Sequence, residues 1–462
     1  MSDTAPRHDS PKPATSAATR PRGVAIPLFF VCLPAIVFYT VTLRNVVNIP
    51  LLDDYDSLLD FLNHFVSLNG ASARASYFLA AQHNEYKLFF GNGVACLQLA
   101  LFGQIDFREL SIIGDGFIFL LAILLWKMFI PHTKDLAARL TFFIPVSWLL
   151  FQFQYWETLN WAMAGLQNIP ILVFSLASIY FLVKGTRASF CGALLLFTLA
   201  VSASGNGFFL FPIGLLILLL NRSYLRVFVW LLVAVGCIAA YAYHYNLMVS
   251  QTHAHHSVLS SFHPLSPLYM LAFIGGAAGI PVPALSILLG ALLVGLFIFM
   301  IRRGYIRSNP LVSCCILFLL LTTVGVAGLR SDFGLGQALS SRYTIYSALF
   351  LIFAWFAIVE MFLQNSKVPL LRSSFFLGAV ALTILFSVCM DLLGTLGLDA
   401  RHDTTMRAMA TFEHPKTPDT TIWPAPMLPL PHPIGPTNEF NQRIRPILDE
   451  SIKLGVYRPP PL

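Results

Sequence analysis

Charge is scarce in this chain: Asp, Glu, Lys and Arg make up 11% of 462 residues, while hydrophobic types reach 56%. A soluble domain carries about 25% charged residues, so a large soluble core is excluded and a polytopic membrane protein is expected. The seven cysteines (Cys32, Cys96, Cys191, Cys237, Cys314, Cys315 and Cys389) fall in apolar stretches, with neither metal-ligand spacing nor paired loop positions. They read as small packing residues, not as a disulfide framework. Acidic groups are the rarer sign, leaving a formal charge of +7, yet this calls for no nucleic acid. Outside the two tails, most basic residues sit in short loops between apolar runs, where they orient a chain in its membrane.

What is present is a succession of membrane-length apolar runs. Residues 1–23 are rich in Pro, Ser, Thr and Ala and read as a disordered cytoplasmic tail. The run 24–43 is long enough to span, and no small-residue cleavage site follows it. Further spans are expected at 110–130, 140–155, 165–183, 188–203, 208–220, 227–245, 283–301, 311–329, 344–363 and 374–393, about eleven in all. Two stretches, 88–102 and 268–280, are shorter and interrupted by Gly.

Placing the N-terminus in the cytoplasm groups Lys127, Lys134, Arg139, Lys184, Arg187, Arg222, Arg226, Arg302, Arg303, Arg307, Lys367 and Arg372 inside. This holds only if both short stretches are half-embedded or interfacial helices on the outer face. The expected fold is therefore an all-α polytopic membrane protein, its transmembrane domain at 24–393, with outer-face juxtamembrane helices in the loop 44–109. A Pro-rich extracytoplasmic tail, 394–462, follows. Its prolines from Pro415 to Pro436 favour polyproline structure, and 437–456 reads as one short helix with Thr437 at its cap and Ile444, Ile447, Leu448 and Ile452 on one face. In the first outer loop, Leu58, Phe61, Leu62, Phe65 and Val66 share a helical face, the pattern of a helix lying on a membrane or packed on protein.

Polar clusters mark the outer boundary. Asp53-Asp54-Tyr55-Asp56 follows the first span closely. A charge at the bilayer midplane costs about 2.5–3.5 kcal/mol even on the lenient insertion scale, so carboxylates this near a membrane need a partner or a task. Asp54 and Asp56 form a D-x-D pair suited to one divalent cation, Mg or Mn, or to dividing base and ligand duties; a solvated helix start capped by Asp56 is the plain alternative. Gln82-His83-Asn84-Glu85-Tyr86-Lys87 offers adjacent hydrogen-bonding groups for a sugar hydroxyl or a phosphate, or is simply a polar boundary.

Arg330 and Arg342 lie in one outer loop, and arginine's planar fork suits phosphate. Arg342-Tyr343, at the mouth of a span, is the better placed; Arg330 is equally an interfacial anchor. Trp156-Glu157 and Trp161 read as interfacial-belt residues, and 202–207 as a glycine hairpin. His253, His255, His256 and His263 crowd a Ser-rich loop without an acidic or Cys partner. Asp115, between two glycines, is an intramembrane acid near the outer side.

Taken in order, four of these segments resemble the GT-C superfamily of membrane glycosyltransferases. They are Asp53-Asp54-Tyr55-Asp56 after the first span, Gln82 to Lys87 leading into 88–103, Phe107-Arg108 opening the second span, and Ser341-Arg342-Tyr343 opening a late one. The layout extends over roughly the first 220 residues and scattered points after them. Two departures stand out: His83-Asn84-Glu85 replaces the His-Pro or Pro-Pro pair of many members, and no W-W-D motif is present, so protein N-glycosylation is not implied.

The resemblance implies transfer of a sugar, with inversion, from a polyprenyl-phosphate donor to an extracytoplasmic glycan or lipid acceptor, at the outer face of a bacterial inner or plasma membrane. Asp54, or Asp53 after it, would be the catalytic base or cation ligand. Arg342, and Arg330 behind it, would neutralise the leaving phosphate. Asp56, His83, Glu85, Lys87 and Tyr343 would complete substrate binding. Two other classes fit many spans and polar outer loops: a lipid-linked oligosaccharide flippase or other secondary transporter, and an O-antigen polymerase or ligase, which needs no acidic motif after the first span.

Overall fold

The structure, a computed structural model, describes residues 22–129, 135–246, 266–278, 282–365, 374–413 and 437–461. Lys134, the histidine loop, Lys367, Arg372 and the prolines from Pro415 to Pro436 lie outside the described residues. Among those described, the chain is helical without strands. It begins with α1 (Arg22–Asn45), a π-helical turn (Tyr55–Asp60), α2 (Phe61–Ser67), α3 (Ala71–Ala80), α4 (Phe89–Phe102) and α5 (Phe107–Met128). Then come α6 (Leu136–Leu150), α7 (Trp156–Leu159), α8 (Ala162–Asn168), α9 (Pro170–Lys184), α10 (Arg187–Ala203), α11 (Leu210–Leu220) and α12 (Tyr224–Ala242). The last third holds α13 (Ser266–Ile274), α14 (Pro283–Arg302), α15 (Tyr305–Ser308), α16 (Pro310–Arg330), α17 (Leu335–Ala338), α18 (Thr344–Asn365), α19 (Ser374–Glu413) and α20 (Thr437–Lys453).

Nine helices among the described residues are long and apolar enough to cross a membrane, and the chain is an integral multi-pass membrane protein. The other two expected spans are the shorter apolar helices Arg187–Ala203 and Gly205–Leu220, consecutive in the chain. The two stretches expected to be half-embedded are also helical and short, α4 with 14 residues and α13 with 9.

The bundle answers the demand that backbone groups in lipid be satisfied within the protein. Pro34 in α1 has no N–H to give the Phe30 carbonyl. The indole of Trp148 in α6 donates to that carbonyl instead (2.9 Å), and Ser147 Oγ donates to the Val31 carbonyl (2.6 Å). α5 and α8 meet backbone to backbone: a Cβ on Gly114 would lie 2.9 Å from the Gly165 carbonyl carbon. Only glycine allows that approach, and it fixes the start of α8 beside the acidic turn.

One boundary differs from expectation, and one open alternative is decided. The last span does not stop at 393; α19 continues as one 40-residue helix to Glu413. Apolarity fades before the helix does, because no proline occurs between Ser374 and Pro415. The amphipathic face of 57–68 packs on protein: Leu58, Phe61 and Leu62 are buried in a cluster with Tyr55, Ile105, Phe107, Ile444 and Leu448.

Candidate functional site

Contacts gather the C-terminal ends of α1 and α16, the starts of α5, α8 and α18, and the C-terminal half of α19 at one end of the bundle. Lys127, Arg139, Lys184, Arg187, Arg222, Arg226, Arg302, Arg303 and Arg307 sit in or beside the turns of the opposite end.

At the first end, the chain leaves α1 and turns through Leu52, a non-glycine residue at φ 52°, a conformation that costs energy and tends to occur at functional turns. The turn points Asp53 and Asp54 in different directions. Asp54 is 1% exposed. One carboxylate oxygen accepts from the Leu51 N–H (2.9 Å) and the other from the Met163 N–H (2.8 Å) at the start of α8. Burial pushes its carboxyl up to about 7 against the pull of those N–H groups.

Asp53 keeps 40% of its side chain open, with Oδ2 3.7 Å from His83 Nε2. Burial raises this carboxyl, but the hydrogen bond and charge of His83, then the charges of Arg342 and Arg443, hold it below its ordinary value. Asp56 is paired with Arg443 from α20 at 2.8 Å; burial still raises it, with Arg443 opposing.

Residues 82–87 fold as a tight turn. His83 and Tyr86 exchange backbone hydrogen bonds of 2.9 Å, with Asn84 at φ 50° between them. Gln82 ties the turn to Asn246 through both amide atoms, at 2.9 Å each. Lys87 is fully buried, its ammonium donating to the carbonyls of Leu79 (2.5 Å), Ala80 (3.4 Å) and Tyr243. Burial lowers its pKa. Glu85 forms an ion pair with Arg330, which also reaches the Tyr86 hydroxyl at 3.5 Å.

Arg342 stands in the short turn before α18. Its guanidinium lies 5.9 Å from the Trp161 ring centre and 5.3 Å from that of Tyr343, a setting that favours a cation through the ring quadrupoles. No carboxylate lies within ion-pair distance of it among the described residues, and its Nε is buried without a partner. Its own backbone N–H donates to Glu157 Oε2 (3.3 Å). Arg401 of α19 packs over Trp156 at 4.5 Å and donates to the Glu157 carbonyl at 3.0 Å, its second nitrogen 3.9 Å from the Glu157 carboxylate. The buried Tyr269 hydroxyl, also without a partner, lies in the field of Tyr343, Arg330, Arg342 and Tyr86.

The fold thus brings Asp53, His83, Glu85, Arg330, Arg342 and Tyr343 to one rim. Asp54 and Lys87 lie beside that group, sealed into the backbone, and Asp56 faces α20. Asp54 and Asp56 are not presented to a common divalent cation: the first is engaged by N–H donors, the second by Arg443. Among the described residues no three His, Cys, Asp or Glu side chains converge as metal ligands.

Glu157, Trp161, Arg401, Tyr86, Tyr269 and Arg443 join the rim without having been singled out as site residues from sequence. A signal existed for Glu157, an acid between two tryptophans at the end of a span. Arg401 and Arg443 lay in what reads as a tail. Asp115 is 2% exposed with neither carboxylate oxygen partnered. The glycine turn at 202–207 is a close approach: a Cβ on Gly207 would lie 2.5 Å from the Ala200 carbonyl carbon. No protein-family model, curated protein or solved structure matches this chain.

Proposed function

We propose that this protein is a glycosyltransferase of the GT-C type, moving a sugar from a polyprenyl-phosphate donor to a glycan or lipid acceptor at the non-cytoplasmic rim. One observation carries the reading: a recessed but open carboxylate, Asp53, shares its field with Arg342, which no carboxylate approaches within ion-pair distance among the described residues and whose buried Nε has no partner. Arginines crowded at a membrane boundary repel one another unless an anion joins them. Glu85 answers Arg330 and Glu157 lies nearest Arg401, which leaves Arg342 to meet a phosphate through its planar fork. The basic loops at the opposite end favour a cytoplasmic location for that end and an outer location for the rim.

In this reading the acceptor hydroxyl oxygen attacks the anomeric carbon as the bond from that carbon to the phosphate oxygen breaks. The hydroxyl proton passes to Asp53, and the leaving polyprenyl phosphate takes the electron pair, its charge met by Arg342. One displacement inverts the anomeric centre. Asp53 is preferred to Asp54 as base because Asp54's oxygens already accept backbone N–H bonds in a closed pocket. A depressed carboxylate is a weak base, so Asp53 also contributes by orienting the hydroxyl toward an oxocarbenium-like carbon, while Arg342 stabilises the leaving phosphate.

The test uses the full-length protein in nanodiscs, given labelled polyprenyl-phosphate glucose, mannose and arabinose with an extract of the host envelope as acceptor. Label reaching extract in the wild type and lost in Asp53→Asn supports the reading. An Asp53→Asn protein as active as wild type points to the polymerase or ligase class, which uses arginines without this acid. Translocation of lipid-linked sugar without transfer, lost on replacing Asp115, points to the transporter class, for which the unpartnered intramembrane Asp115 is the favouring observation.

A further inference from the structure

The C-terminal helix is built into the acidic turn. Ile444 and Leu448 of α20 are fully buried among Tyr55, Leu58, Leu59 and Leu62. The side-chain amide of Asn63 donates to the Ile447 carbonyl at 3.0 Å. Beyond the helix the chain stays docked. The Ile105 N–H donates to the Val456 carbonyl (2.8 Å), the Tyr457 hydroxyl to the Asn48 carbonyl (2.8 Å), and the Asn48 amide to the Arg458 carbonyl (3.2 Å). The other side of the Asn48 amide accepts from the Phe107 N–H (2.8 Å), so the same strap holds the start of α5.

Between these anchors lies the π-helical turn Tyr55–Asp60. A π-turn has poorer intrinsic stability than an α-helix and persists where its surroundings hold it, often at functional sites. Here Asp54 fastens one end to α8, while Arg443 of α20 fastens the turn by its ion pair with Asp56 at 2.8 Å.

We propose that Arg443 is a positioning residue: through Asp56 it holds the π-turn in register, and so holds Asp53 at the open side of the rim. Asp53 is met there by His83 and Arg342 from other elements and by Asp54 and Asp56 of its own turn. Arg443 does not touch the reacting atoms. The claim that its effect reaches transfer rests on the glycosyl-transfer reading; the claim that it orders the turn does not.

Two measurements on the full-length protein in nanodiscs separate these claims. Hydrogen exchange of the peptide covering 51–63 should quicken about tenfold in Arg443→Ala and return toward wild type in Arg443→Lys, with exchange in the spans unchanged. Unaltered exchange in Arg443→Ala overturns the proposal whatever the enzyme does. For transfer, Arg443→Ala should lower kcat about tenfold at unchanged donor KM, and adding Asp56→Ala should cost little more, because the two act as one pair. A raised donor KM with kcat intact would make Arg443 a binding group and overturn its positioning role. A wild type with no transfer would sink the proposed function while leaving the exchange result to decide the ordering of the turn.

Discussion

The rim divides into a sealed half and an open half, and the contrast separates scaffold from chemistry. Asp54 and Lys87 are both buried ionisable groups, and each is answered by main chain: two N–H donors for the acid, three carbonyls for the amine. Asp53 and Arg342 lie close by with fewer bonds, one partly open and the other walled by rings with an unpartnered nitrogen. Buried polar groups are normally satisfied, so the satisfied pair explains the fold, while the buried unpartnered Nε of Arg342 asks for a ligand. Adjacent residues of one motif can therefore serve different ends.

The largest effect that tests this division falls on Asp53. Asp53→Asn should lower transfer about 100- to 10,000-fold, the range for a lost general base, with the melting temperature unchanged; a matching loss of stability would place Asp53 in the sealed half. Asp54→Ala should do the reverse, leaving the N–H groups of Leu51 and Met163 buried without acceptors and costing about 2–4 kcal/mol in thermal unfolding.

Asp54 also gives that half a pH signature. Its carboxyl titrates near 7 when folded and near 3.9 in an unfolded chain. The folded state holds the proton more tightly, so its contribution to stability is complete below about pH 4 and is lost as the pH rises toward 7. Asp54→Asn should flatten this slope; an undiminished slope would assign it to another group.

A smaller effect is expected at Arg342. Arg342→Ala should weaken binding of undecaprenyl phosphate about 10- to 100-fold, in line with about 1.5–3 kcal/mol for a hydrogen bond to a charged group, read by the quenching of tryptophan fluorescence. The smallest is expected at Lys87. Lys87→Met should cost about 1–3 kcal/mol of stability, from three carbonyls stripped of their donor, with undecaprenyl phosphate affinity unchanged. Lost affinity in a protein that melts normally would move Lys87 to the open half.

Much of the fold was legible because lipid imposes its rule on every turn of a spanning helix: apolar length marks the crossings, and basic loops mark one end. The end of the last span was not legible, since apolarity reports where lipid stops and only a proline or a cap reports where a helix stops. The site was legible in part. Asp53, Glu85 and Arg342 stand out as charges at membrane boundaries. That Asp54 turns inward while Asp53 turns outward depends on the Gly114–Gly165 crossing that sets α8, a long-range contact with no local trace. The burial of Lys87 was not legible for the same reason, as one of its carbonyl partners, Tyr243, comes from a distant segment.

The length of α19 has a mechanical consequence. Its 40 residues make a rod of about 60 Å, roughly twice the thickness of the hydrocarbon layer, and Arg401 sits on the protruding half. A rod longer than its bilayer accommodates mismatch by tilting, which sweeps its far end sideways across the rim. Because Gly394 and Gly397 of that rod pack closely on Phe153 and Trp156, a change of tilt is expected to be felt first at the Arg401–Glu157 contact, and transfer rates compared in bilayers of short- and long-chain lipid would read it.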